Sequence, residues 1–115
     1  MISMFAIPNC DTVKKARTFL ENNKIAYEFI DFKKIPPTKA QIQAWGEYLG
    51  ELPVNKKGTT YRKCKDDYEA LNMAEKVDFI IANPSLIKRP VLVQNGKTIA
   101  LGFDEKQYRE LIINA

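Results

Sequence analysis

Residues Ile7–Arg17 read IPNCDTVKKAR, and the change of pattern inside this stretch decides the fold. Ahead of it, Ile2 to Ile7 form a short apolar run with β-branched members that stops at Pro8, which reads as a strand too short to be a helix. From Asp11 onward Val13, Ala16 and Leu20 recur at helical spacing, with Lys14, Lys15, Arg17 and Glu21 mostly on the other side. A strand therefore feeds directly into an amphipathic helix, with a cysteine at the join. That cysteine, Cys10, is either a small buried hydrophobe or a nucleophile.

Beyond Asn22-Asn23-Lys24, residues Ala26 to Phe32 alternate as AYEFIDF, with Tyr27, Phe29 and Asp31 facing one way and Glu28, Ile30 and Phe32 the other. This second strand, joined to the first by one helix, predicts a right-handed βαβ unit with parallel strands. Pro36-Pro37 ends it. Thr38 with Gln41 gives a capping-box signal for a helix that carries Ile42, Trp45 and Leu49 and ends near Gly50. Asn55 to Cys64, NKKGTTYRKC, reads as a polar loop. Two short helices are expected at about Asp66–Leu71 and Glu75–Ala82, the second preceded by Asn72 with Glu75 in capping position and closed before Pro84.

Near the other end Pro90–Gln94 and Lys97–Leu101 flank Asn95-Gly96, the strongest short-range hairpin signal. Asp104 then caps a last helix to about Ile113, with Tyr108, Leu111 and Ile112 available to pack. The order βαβ, helical insertion over about residues 38–88, then ββα predicts an α/β protein. It fits a thioredoxin-like mixed sheet of about four strands, in one domain over residues 1–115.

The 115 residues are 45% hydrophobic, enough for one ordinary core, and the 18 basic against 14 acidic residues leave a formal charge of +4 spread without dense runs. Nucleic acid is not an expected partner. No window approaches the ~18 apolar residues that a membrane span requires, and MISMFAIPNC has no basic leader, so a soluble cytoplasmic protein is the expectation. Two cysteines are too few for a disulfide scaffold or a four-cysteine zinc site, and no bound metal or cofactor is expected. The chain has no histidine. Cysteine–histidine and serine–histidine hydrolysis, histidine metal sites and imidazole acid–base chemistry are thereby excluded.

Without a histidine base, a nucleophilic thiol needs another source of activation, and the start of a helix supplies one. A thiol there meets backbone N–H groups that have no partner in the helix and the positive end of its dipole, both of which favour the thiolate. The same N–H groups can cradle an anionic substrate oxygen, and Asn9 and Thr12 can add side-chain hydrogen bonds. Arg62 and Arg89 are either solvated charges or, on the functional reading, planar paired donors for a carboxylate or oxyanion that further support the Cys10 thiolate. The Arg89–Pro90 bond is a candidate cis peptide, since X–Pro is where such bonds occur. Cys64, between Lys63 and Lys65, reads first as a surface thiol.

Three segments in this order, the strand–PNCDT–helix opening, GTTYRK and IKRPVLV, resemble the arsenate reductase (ArsC) family over nearly the whole chain, nearer its YffB branch and related to Spx. The resemblance implies a thioredoxin fold with a helical insertion, site residues Cys10, Arg62 and Arg89, and a cis Pro90 beside the thiol. Family members that reduce arsenate with glutathione and glutaredoxin carry a further arginine where this chain reads LGF at Leu101–Phe103. Spx regulators carry a second cysteine where this chain has Val13.

The expected activity is thus reduction of a disulfide or oxyanion by the Cys10 thiolate, with glutathione as co-substrate and glutaredoxin as a further candidate partner. Asn9 and Thr12 would order the loop, Arg62 and Arg89 would hold the substrate anion, and Pro90 would shape the groove. Cys64 is a candidate resolving thiol beside free glutathione. Arsenate reduction and a non-catalytic, Spx-like association with RNA polymerase are the alternatives, and a monomer is expected.

Overall fold

A computed structural model describes residues 1–113 of the chain. The chain divides into two compact units, one made of Met1–Asp31 with the segment from Arg89 onward, the other of Phe32–Lys88.

The first unit contains β1 (Ile2–Ala6), α1 (Asp11–Asn22), β2 (Tyr27–Asp31), β3 (Val91–Gln94), β4 (Lys97–Leu101) and α5 (Glu105–Tyr108). Its sheet has the order β2-β1-β3-β4, with β1 parallel to β2 and the β1–β3 and β3–β4 pairs antiparallel. This is the thioredoxin-like arrangement that the sequence order predicts. Asn95 and Gly96 turn the β3–β4 hairpin with φ of 52° and 78°, the positive pair that a two-residue turn of matching twist demands. The register slips at Leu92/Val93, so that Leu92 faces Ala100 and Val93 faces Thr98. Ile99 is the extra residue of a bulge.

Alternation along β1 buries Ile2, Met4 and Ala6, and the helical period of α1 buries Val13, Ala16, Phe19 and Leu20 against them. Tyr108 completes this core. Its ring packs edge-on to Phe19 and Phe103, and its hydroxyl donates to the Gly102 carbonyl at 2.8 Å. Asp104 caps α5 by accepting from the Gln107 N–H at 3.1 Å. The expected uniform last helix is corrected in one respect: from Arg109 to Ile113 it widens into a π-turn. Ile112 still reaches the core, whereas Leu111 stands 39% exposed.

The second unit holds α2 (Lys39–Leu49), α3 (Thr59–Glu69), α4 (Met73–Ala82) and a 3₁₀ turn over Pro84–Leu86. Both expected capping boxes are present, Thr38 with Gln41 and Asn72 with Glu75, although α4 starts two residues before the expected Glu75. Gly50 ends α2 in the left-handed conformation at φ 88°. The larger correction concerns NKKGTTYRKC. Helix α3 begins at Thr59, so the polar loop stops at Gly58, and Arg62 and Cys64 lie on a helix. The apolar period there rests on two tyrosines, Tyr61 and Tyr68, which are seven residues apart and both buried. Their rings meet at 6.1 Å, and the Tyr61 hydroxyl donates to Glu69 at 2.6 Å.

Removing the Tyr108 hydroxyl leaves the buried ring in place but strips the Gly102 carbonyl of a donor. Tyr108→Phe should lower stability by about 1 kcal/mol, read as a reduced midpoint in urea with an unchanged slope; an unchanged midpoint would remove that bond from the account.

Candidate active site

The chain leaves the sheet at Ile7, which is buried, passes the exposed Pro8 and Asn9, and enters α1 at Cys10. Cys10 is the N-cap residue. Its backbone is extended, with φ −145° and ψ 126°, and its carbonyl accepts the first helical bond from the Lys14 N–H at 2.9 Å. A cysteine in this position directs its sulfur toward N–H groups that the helix itself leaves without partners. Cys10 also packs against the first unit's core while staying half-buried, so it is partly the hydrophobe and partly the exposed thiol of the two readings.

Burial is the largest single influence on this thiol and pushes its pKa up, but four smaller influences act together against it. The Val13 N–H, the Arg89 guanidinium by hydrogen bond and by charge, and the Thr12 N–H together bring it below the ordinary thiol value. No side-chain cap bond of good geometry forms. The amides act as directed dipoles, which suits a large diffuse sulfur anion better than a neutral thiol.

Arg89 reaches the sulfur through the sheet. The antiparallel register pairs Phe5 with Val91, so the chain leading to Cys10 and the chain coming from Arg89 meet the same end of the sheet. The Arg89–Pro90 peptide is cis, as expected, and the Pro90 carbonyl accepts from the Gly102 N–H at 2.9 Å. Cys10, Thr12, Arg89 and Pro90 therefore belong to the first unit, with Asn9 in the loop ahead of the helix. Asn9 and Thr12 are exposed, and what Thr12 gives the sulfur is its backbone N–H.

Arg62 and Cys64 stand on α3 in the second unit. The Arg62 guanidinium donates to the Lys57 carbonyl at 3.0 Å, and the Cys64 thiol donates to the Thr60 carbonyl at 3.2 Å. The donor that sequence reasoning missed is Val13, because its role belongs to the main chain. Its side chain is fully buried and advertises only a core position; being the third residue of a helix was the signal. Among the described residues no helix is long and apolar enough to cross a membrane.

The model of the ArsC family matches residues 5–111. The chain belongs to the ArsC family. A solved structure of a YffB protein superposes with a TM-score of 0.84, at 34% identity, over 97% of this chain and 99% of its own. An uncharacterized protein of Haemophilus influenzae is likewise 34% identical over 111 residues, covering 95% of this chain and 96% of that one. The global transcriptional regulator Spx of Streptococcus agalactiae is 28% identical over 115 residues, covering 97% of this chain and 83% of the regulator. This ArsC-family scaffold is thus of the thiol-oxidoreductase kind, and it has regulators among its relatives.

A lowered thiol pKa makes the nucleophile available at lower pH, so the iodoacetamide alkylation rate of Cys10 should inflect below the ordinary ~8.5. In Arg89→Met, which loses both the hydrogen bond and the charge, the inflection should move up. The linked stability is present above the ordinary thiol pKa and is lost as pH falls through the lowered one. An inflection at the ordinary value in the wild type would exclude activation by the helix and Arg89.

Proposed function

We propose that this protein is a thiol-dependent reductase that uses glutathione. The observation that carries the reading is the convergence of the Val13 and Thr12 N–H groups and the Arg89 guanidinium on the Cys10 sulfur, which holds its pKa below the ordinary thiol value. In the first step the thiolate attacks the glutathione sulfur of a mixed disulfide. A Cys10–glutathione disulfide forms, the substrate leaves as a thiolate, and that thiolate takes a proton from solvent. In the second step a free glutathione thiolate attacks the glutathione sulfur bound to Cys10. Oxidised glutathione leaves, and the Cys10 thiolate returns. In the net exchange one free glutathione thiol is oxidised, the disulfide bond passes from the substrate to oxidised glutathione, and the substrate sulfur is released as a thiol.

Arg89 serves twice in this scheme, first holding the resting thiolate and then stabilising the thiolate that is displaced. Arg62, proposed on the GTTYRK motif, holds a carboxylate of the glutathionyl group. Asn9 and Thr12 border the entering disulfide, and Pro90 forms one wall of its path. Val13 occupies the position where a second loop thiol would stand, and it is buried. Resolution by free glutathione follows most simply. Cys64 is the intramolecular alternative, and peroxide treatment followed by mass spectrometry separates the two: a Cys10–Cys64 disulfide supports it and glutathionylated Cys10 alone rejects it.

The similarity to Spx across nearly the whole chain favours one further reading, a binding protein without turnover. Under it, association with RNA polymerase would survive Cys10→Ser.

Glutathione-dependent reduction of a small mixed disulfide should fall to the uncatalysed rate in Cys10→Ser. In Arg62→Ala the KM for the glutathionyl substrate should rise about tenfold with kcat retained. Arsenite formation from arsenate, without turnover of any disulfide, would move the substrate from sulfur to an oxyanion.

A further inference from the structure

The exposed side of α1 does not end at Cys10. Lys14, Thr18 and Asn22 follow one another at four-residue steps, so one exposed ridge runs down the helix from its first turn, next to the Cys10 N-cap. At a rise of 1.5 Å per residue, Lys14 lies about 6 Å and Thr18 about 12 Å along the axis from Cys10. This ridge is one wall of a cavity of about 520 Å³ within the first unit, which Lys15 also lines, and Phe103 and Arg109 form the opposite wall.

The charges on this cavity are unbalanced. Among the described residues that line it, Lys14, Lys15 and Arg109 stand against one carboxylate, Glu105, which sits 3.8 Å from Arg109. Arg109 also lies over the Phe19 ring, 5.2 Å from its centroid, and so is held in place on the rim. The floor is apolar yet closed: Phe19 is only 6% exposed, and Phe103 is tilted onto Phe19 and set edge-on to Tyr108. Single-stranded nucleic acid would stack successive bases on several open ring faces, whereas here Phe19 is buried and the Phe103 ring is half-buried. Thr18, Asn22 and Asn23 add polar side chains suited to a peptide backbone.

We infer that this groove takes an acidic stretch of the polypeptide whose mixed disulfide Cys10 opens, so that the oxidised substrate is a protein. The inference rests on Cys10 acting as the reductase thiol. It adds that acidic side chains within about 6–12 Å of the modified cysteine select the substrate, through Lys14 and Lys15 on one wall and Arg109 on the other. The substrate segment is the leaving group in the first exchange, and the groove holds it while glutathione stays on Cys10.

Two glutathionylated synthetic peptides test this, one with three Asp or Glu residues beside its cysteine and one with Ser and Gln in their places. Wild type should prefer the acidic peptide by about tenfold in KM at low ionic strength, and this preference should vanish in high salt. It should vanish also in Lys14→Gln/Lys15→Gln, two exposed positions, with the ratio of KM for the two peptides as the readout rather than the absolute rate. Equal use of the two peptides by wild type would overturn the inference. If no disulfide is turned over, the reductase reading fails by itself, and fluorescence anisotropy with a cysteine-free acidic peptide then decides the groove. Binding that the double variant loses supports it; absence of binding, or tighter binding of an oligonucleotide, overturns it.

Discussion

The first turn of a helix carries N–H groups that no residue of the helix can satisfy, and in this protein the sulfur of Cys10 is placed among them. The chemistry of the site follows from that unmet demand. A serine or aspartate at the same position would satisfy it with a hard oxygen and do nothing further. A thiol satisfies it best by ionising, so the need of the helix and the need of a nucleophile are met by one event. Burial works against this, and the Val13 amide, the Arg89 guanidinium and the Thr12 amide together outweigh it.

Arg89 is far from Cys10 in the chain, and the sheet is what joins them. With β1 at the centre of the parallel pair and the antiparallel pair, the strand that leads into Cys10 is bordered on one side by the strand that Arg89 and Pro90 open. Those register pairs are held by alternating buried residues, Met4 beside Leu92 among them. A slip of one residue would turn that apolar set outward. The placement of the Arg89 backbone beside the site therefore depends on core packing far from the thiol.

Features that depend on a few adjacent residues were legible in the sequence. The two capping boxes, the Asn95-Gly96 turn and the strand-to-helix change at Cys10 all have local causes, and all are present. Features whose cause is tertiary were not. Helix α3 is hidden because threonines, lysines and aspartates fill its surface and only Tyr61 and Tyr68 mark its inner side. The Ile99 bulge and the π-turn after Tyr108 leave no pattern, since each adjusts one residue to fit a packed neighbour. Cys10 and Arg89 could be named from sequence as members of one site. The part played by the Val13 amide is marked only by its place as third residue of the helix, because a main-chain donor is the same for every side chain.

The β1–β3 register also gives the sheet two ends of different character. At one end, where Phe5 meets Val91, the strands run out toward Cys10 and Arg89; at the other, where Ile2 meets Gln94, they run into the Asn95-Gly96 turn. The four paired positions, these two ends included, span about 10 Å of strand. The hairpin end is a natural handle: a fluorophore, tether or inserted loop there would be carried rigidly by the same strands that position the guanidinium, at a distance from the thiol. Motion of the sheet as a whole could then be followed without altering the chemistry at its other end.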